Sequence, residues 1–317
     1  MQVKNEALPP EFVERLHRIL NDDDFGTAIQ TMNEPRRTSF RVNTLRAEVE
    51  PTVYALREAG VKVASIDWYD AAFYVEPAFR QALLESEAYR AQHIYVQNAA
   101  SMLPVLALAP TPGEHVLDLA AAPGSKTLQI VCEMDNEGEV AAVEIVRERF
   151  YKLNNLLKLQ GAGIVRTFLR NGMTVWRHRP DHFDRVLLDA PCSSEGRFHT
   201  SRPETFAYWS PRKVKEMARK QRKLLSSAVK SLRPGGILVY STCSYAPEEN
   251  ELALTDILSE FEDKLEVEPF EPRLPNMRRP LEEWDGREVH RDVVEHARRV
   301  VPDDLCDGFF ICRMRKR

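Results

Sequence analysis

From residue 115 onward, short apolar runs bounded by turn residues alternate with helical stretches, and this alternation constrains the fold more than any other feature of the chain. The runs are HVLDLA (115–120), EVAAVE (139–144), IVRTFL (164–169), RVLLDA (185–190) and ILVYST (237–242). Between them the pattern predicts a helix after Gly124, a long helix to about Leu159, and a helix from Arg212 to Leu232. Strands that are apolar throughout need cover on both faces, and parallel neighbours need a crossover that a helix supplies. The expectation is an α/β fold with a mostly parallel, doubly wound sheet in three layers, the Rossmann-like arrangement. Phe309-Phe310-Ile311-Cys312 is expected to add a last strand, leaving Arg313–Arg317 as a solvated end.

The first hundred residues read differently. Pro9-Pro10 precede a helix whose Phe12, Leu16 and Leu20 fall on one face. Thr38–Leu45 then reads as a strand, Pro51–Gly60 as a short helix and Val61–Glu76 as further strand, which together suggest a small α+β module. A helix from Gln97 to Leu108 links it onward and ends at Pro110-Thr111-Pro112-Gly113. The expected division is 1–96 for the α+β module and 97–317 for the Rossmann-like domain.

Five cysteines, odd in number and without a C-x-x-C pair, exclude a disulfide framework and a structural zinc cluster. The opening MQVKNEALPPEF lacks the apolar core of a signal peptide, and no continuous apolar run of membrane-spanning length follows. Free thiols then predict a cytoplasmic protein with no membrane partner and no metal.

The balance of 44 Lys+Arg against 48 Asp+Glu excludes a uniformly basic coat protein. It conceals the window 197–233, which holds eleven Lys or Arg and only Glu204 and Glu216 as acids. Phosphate contacts supply most sequence-independent nucleic-acid affinity. Phe198, Phe206, Tyr208 and Trp209 offer rings for an unstacked base. The competing reading is a solvated helix face opposite a buried stripe of Val214, Ala218, Gln221, Leu225, Ala228 and Leu232. Arg197 and His199 favour RNA by their place beside Cys192. By contrast, 248–271 carries ten acids and only Lys264, and reads as an exposed helix and strand turned away from RNA.

In open α/β sheets, ligands sit at the carboxyl ends of the strands, near the reversal of strand order. The loop leaving the first run is Asp118-Leu119-Ala120-Ala121-Ala122-Pro123-Gly124-Ser125-Lys126-Thr127. Its small residues let the backbone approach a ligand, and Gly124 permits angles that other residues resist. Ser125 interrupts the Gly-Lys-Thr of a P-loop, and only one of the three glycines of a dinucleotide fingerprint is present. Glu144, at the end of the next run, is either a strand-end surface acid or a carboxylate for ribose hydroxyls. A ribose site without a diphosphate cradle fits S-adenosylmethionine.

Two cysteines follow two strand ends, in Asp189-Ala190-Pro191-Cys192 and Ser241-Thr242-Cys243. A lone cysteine is more often a small buried hydrophobe; a pair on the functional rim suits a specific chemistry. Carbon 5 of cytosine becomes nucleophilic only when a thiolate adds to carbon 6 and breaks the aromaticity of the ring. A positioned acid assists at nitrogen 3, and a second thiol can help break the adduct.

The segments FRVNTL, YVQNAAS, VLDLAAAPGSKT, LLDAPCSSEG and LVYSTCSYAPEENE run in order from about residue 36 to about residue 253. Together they resemble the RNA 5-methylcytosine methyltransferases of the Sun/Nop class, nearest its bacterial ribosomal-RNA branch of RsmB/RsmF type. The resemblance implies that Ala120, Ala121, Ala122, Pro123, Gly124, Ser125 and Lys126 face the methionine and adenosine of S-adenosyl-L-methionine, with Glu144 on the ribose. Asn171 stands where the class usually has an acid near the adenine, and Asn98 replaces the acid common after the glutamine of Y-x-Q. Asp189 is implied to touch the cofactor pocket and the cytosine, Cys243 to be the nucleophile, and Cys192 to assist breakdown of the adduct. Lys126 either orients catalytic groups or serves only the cofactor loop. The larger RsmF-like enzymes carry added C-terminal RNA-binding domains.

The implied activity is cytosine-5 methylation of RNA, ribosomal RNA rather than tRNA, by a monomer. The alternatives are a tRNA substrate, or a non-catalytic RNA-binding ribosome-assembly factor on the same fold. An exocyclic amino-group methyltransferase would favour Pro-Pro-aromatic after the strand-end acid, which this chain lacks.

Overall fold

The computed structural model describes residues 8–317; most of the N-terminal stretch read above for a targeting signal, residues 1–7, lies outside them. Two helices, α1 (Pro10–Ile19) and α2 (Asp22–Thr31), lead into a small sheet of β1 (Thr38–Val42), β2 (Val63–Ser65), β3 (Ala72–Val75) and β4 (Ile94–Val96). Its order is β2-β3-β1-β4, antiparallel throughout. Helices α3 (Val49–Glu58), α4 (Arg80–Glu85) and α5 (Glu87–Arg90) lie between its strands in the chain. Phe40, Val42, Val53, Leu56, Phe73 and Leu83 make its core.

The connection expected as one helix over 97–108 is split. A 3₁₀ turn (Ala99–Met102), capped by Asn98, precedes α6 (Leu103–Leu108). Pro104 has no N–H and its ring would clash inside a continuous helix, so it stands in the first turn of α6.

The large sheet begins with five parallel strands: β5 (His115–Asp118), β6 (Glu139–Glu144), β7 (Val165–Leu169), β8 (Phe183–Asp189) and β9 (Leu232–Thr242). Their spatial order is β7-β6-β5-β8-β9. Helices α7 (Ser125–Glu133), α8 (Arg147–Gln160) and α9 (Pro211–Ser231) follow β5, β6 and β8 in the chain. Alternation along the strands divides the core. Leu117, Val186, Leu188, Leu238 and Tyr240 join α9 on one face, while Val116, Leu187, Ile237 and Val239 join α6 and α7 on the other. That two-sided burial is why the centres of these strands are apolar at consecutive positions.

After α10 (Glu251–Phe261), the short β10 (Leu265–Glu268) and β11 (Met277–Arg278) precede a hairpin of β12 (Glu283–Trp284) and β13 (Arg287–Glu288). Helix α11 (Arg291–His296), β14 (Arg298–Val300) and β15 (Phe309–Lys316) complete the chain. The last strand runs through the segment expected to be a solvated end. It lies antiparallel to β9, with β14 and β10 on its other edge, and Arg313 and Arg315 are neutralised there by Glu268.

Two further readings change. Phe12, Leu16, Ile19, Ile29 and Met32 of α1 and α2 pack into the same core as α9, α10 and β15, not into the small sheet's core; Phe12 meets Phe198 at 4.8 Å between ring centroids. The acid-rich 248–271 segment is not simply exposed. Glu249 and Glu251 are fully buried, Glu251 in a two-point pair with Arg299 at 2.6 Å.

Candidate active site

The order β7-β6-β5-β8-β9 reverses between β5 and β8, which opens a crevice at the carboxyl ends of those strands. A cavity of about 690 Å³ lies there. Of the residues singled out in the sequence, Ala120, Ala122, Pro123, Ser125, Lys126, Glu144, Asn171, Asp189, Cys192 and Cys243 line it. Ala121 and Gly124 stand behind the wall. Ala121 donates its N–H to Val143 at 2.9 Å, and Gly124 sits at φ +112° before α7. The backbone angle selects glycine, and an added Cβ would also push aside the methyl ends of Leu153 and Leu156 on α8, which would lie 2.9 Å away.

The loop is held from two sides. Thr127 Oγ1 donates to Asp118 Oδ2 at 2.7 Å, and burial pushes Asp118 up to about 6. Across the module boundary, the fully buried Arg41 of β1 donates to Gln97 Oε1 at 2.8 Å and to the Ser125 carbonyl at 3.2 Å. The FRVNTL strand therefore fixes the loop from outside the catalytic sheet. Glu144 is 4% exposed; its Oε1 accepts from Val146 N–H at 2.7 Å, while Oε2 lies 3.6 Å from Arg149. Asn171 caps the following 3₁₀ turn through Met173 N–H.

Lys126 and Asp189 meet across 63 residues of sequence. Nζ lies 2.6 Å from Asp189 Oδ2 and 2.7 Å from Ser101 Oγ, while Ser241 Oγ donates to Asp189 Oδ1 at 2.9 Å. Beside this pair the Cys192 and Cys243 sulfurs are 3.3 Å apart, and both are free thiols. They share a proton: the Cys192 thiol hydrogen-bonded to Cys243 lowers the latter to about 7, against burial and with help from the Arg197 charge. The same bond, with burial, raises Cys192 well above an ordinary thiol. The pair thus combines one thiol lowered toward neutrality with a neighbour held protonated.

The support beneath the thiols escaped the sequence reading. Glu249 accepts from Ser193 N–H (3.0 Å) and Gln221 Nε2 (2.7 Å) and lies 3.0 Å from Ser244 Oγ, tying the residue after Cys192 to the residue after Cys243. Glu195 accepts from Trp209 Nε1 (2.7 Å), Ser244 Oγ (3.1 Å) and Tyr245 N–H (2.9 Å). Burial raises both acids, Glu249 to about 8 with the Glu195 charge adding to the effect. The available signal was Gln221, an amide on an otherwise apolar stripe, which needs a buried polar partner. The aromatic reading also changes: Phe198 is core at 0% exposure, and Tyr208 at 88% is the ring left free for a base.

The parallel block closed by an antiparallel last strand is the Rossmann-like methyltransferase fold. A crystal structure described as a methyltransferase homolog protein from Pyrococcus horikoshii matches it with a TM-score of 0.81 at 31% identity, covering 98% of this chain and 100% of that one. The chain belongs to the family described as 16S rRNA methyltransferase RsmB/F, which matches residues 105–315; residues 8–99 match the N-terminal domain of 16S rRNA methyltransferase RsmF. Ribosomal RNA small subunit methyltransferase F of Serratia proteamaculans is 35% identical over 98% of the chain, and that of Escherichia coli O139:H28 is 36% identical over the same share. The chain spans 63% of the length of these curated relatives. Among the described residues, no helix is long and apolar enough to cross a membrane, and no cluster of three or more His, Cys, Asp or Glu could hold a metal ion.

Proposed function

We propose that this protein transfers a methyl group from S-adenosylmethionine to carbon 5 of a cytosine in small-subunit ribosomal RNA. The observation that carries the reading is the pair of free thiols 3.3 Å apart on the wall of the cavity that also holds the Lys126–Asp189 pair. The cavity residues fit the cofactor. The near-buried carboxylate of Glu144 would accept from the ribose hydroxyls, alanines 120 and 122 would leave room for a close approach, and Ile145 and Met173 would border the adenine. Bound there, S-adenosylmethionine supplies an electrophilic methyl group.

The chain's own residues do the rest. The Cys243 thiolate adds to carbon 6, and the electron pair displaced from the ring calls for a proton at nitrogen 3. The proton between Lys126 and Asp189 is placed to meet that demand. Once methylated, carbon 5 must lose its hydrogen so that the carbon 6–sulfur bond can break. A Cys243 sulfur bonded to carbon no longer carries the charge that raised Cys192, so the Cys192 thiol is free to ionise and act as the base. The target base must be unpaired or flipped out to reach these sulfurs.

Incubation of the protein with S-adenosylmethionine and small-subunit ribosomal RNA tritiated at cytosine carbon 5 should release tritium in step with methylation, and Cys243→Ala should abolish both. Methyl transfer without tritium release would refute the ring-carbon reaction.

A further inference from the structure

A second opening adjoins the thiols. A cleft of about 730 Å³ lies between the small N-terminal sheet and the loop after Cys192, within the range of ordinary ligand sites. Arg36, Arg37, Arg80, Arg197 and Arg202 line it, with Asp307 as the only acid on its walls among the described residues. Arg36 is paired with Asp307, and Arg37 with Glu76 and Asp304. Arg80, Arg197 and Arg202 are exposed and make no ion pair among the described residues. They come from three chain segments: the start of α4, the turn after Cys192, and the loop leading to α9. Asn98, Ser194 and Arg197 belong to this cleft and to the catalytic cavity alike, so the two are continuous.

Isolated arginines on a convex surface are satisfied by water. Three unpaired guanidinium groups around one concavity repel one another until an anion enters, and their planar donor forks match phosphate oxygens. We propose that the cleft binds the phosphodiester backbone of nucleotides flanking the target base, with Arg80, Arg197 and Arg202 as phosphate ligands. The N-terminal sheet and the catalytic loop then hold one strand between them while its base enters the thiol cavity. Such contacts set position and orientation and carry no sequence information. This inference rests on RNA being the substrate.

The test is the salt dependence of binding to a short fluorescent single-stranded RNA, one cytosine in a uridine run, for wild type, Arg80→Gln, Arg202→Gln and the control Arg166→Gln on β7. Each phosphate contact to a single strand contributes about −0.7 to the slope of log K against log salt. Arg80→Gln and Arg202→Gln should each reduce that slope by about 0.7 and weaken binding roughly tenfold. Arg166→Gln should match wild type, and in methylation assays the two cleft variants should raise KM for RNA with kcat retained. Unchanged slopes and KM in both variants overturn the cleft and leave the methylation reading intact. The expected slopes without tritium release in any protein overturn the methylation reading and leave the cleft standing.

Discussion

Replacing Cys192 by alanine should change the acidity of Cys243 in a way that needs no RNA to observe. The hydrogen bond from Cys192 is the largest influence lowering Cys243 to about 7, and the burial that opposes it remains in the variant. The midpoint should therefore rise to about 8.5, the value of an ordinary thiol, or above. At pH 7 the thiolate fraction falls from about one half to about 3%, roughly sixteenfold. The surviving thiolate is more basic, and at a Brønsted slope of about 0.4–0.5 it is roughly fivefold more reactive. The net loss at pH 7 is then only about threefold, and at high pH the variant becomes the faster protein. The midpoint, not the rate at one pH, is the diagnostic quantity. Alkylation by iodoacetamide, followed at the Cys243 peptide by mass spectrometry over a pH series, reads it directly. Cys306 and Cys312, pushed up by burial, should stay unreactive in both proteins. Equal midpoints in wild type and variant would refute the shared-proton account of the thiol pair.

Gly196 holds the Cys192 loop against the loop before β15, and its N–H donates to the Cys243 carbonyl at 2.9 Å; an added Cβ would lie 2.0 Å from the Gly308 carbonyl oxygen. Gly196→Ala must shift backbone, with about 1–3 kcal/mol of destabilisation in urea unfolding and, at about 1 Å of misplacement, on the order of a hundredfold lower kcat; wild-type kcat in the variant would contradict this. Glu249→Gln tests the buried acid through stability. A carboxyl raised to about 8 when folded holds its proton longer than it does unfolded, so the protein loses stability as pH rises from about 4.3 to about 8. Urea unfolding at several pH values should give wild type up to about 1.4 kcal/mol per pH unit more decline across that window than the variant. Parallel curves would mean that Glu249 is ionised in the folded protein.

The central parallel strands were legible because burial on two faces leaves consecutive apolar residues, as in Val186-Leu187-Leu188 and Ile237-Leu238-Val239, while the exposed edge strand β7 was legible from its place in the alternation. Asp189, Cys192 and Cys243 were legible because they directly follow those strands. Beyond β9 only the start of β15, Phe309–Cys312, was; β10, β11 and β14 are two to four residues long, and no periodicity develops over so few. Phe12 and Leu16 announced a buried face without saying against what, and the answer lay with Phe198. Glu249 and Glu251 looked like solvated acids because what keeps them inside is distant in sequence, Gln221 and Ser193 for one and Arg299 for the other. The Lys126–Asp189 pair was hidden for the same reason, since each residue is explicable by its own motif until the sheet brings them within 2.6 Å.

The division of labour between the sulfurs is most directly tested on a denaturing gel after incubation with S-adenosylmethionine and small-subunit ribosomal RNA. Cys192→Ala should retain RNA covalently as a slow band that wild type shows only in trace, and the added change Cys243→Ala should abolish it. A band formed by Cys243→Ala with Cys192 intact, or normal turnover by Cys192→Ala without a band, would contradict the assignment of attack to Cys243 and release to Cys192.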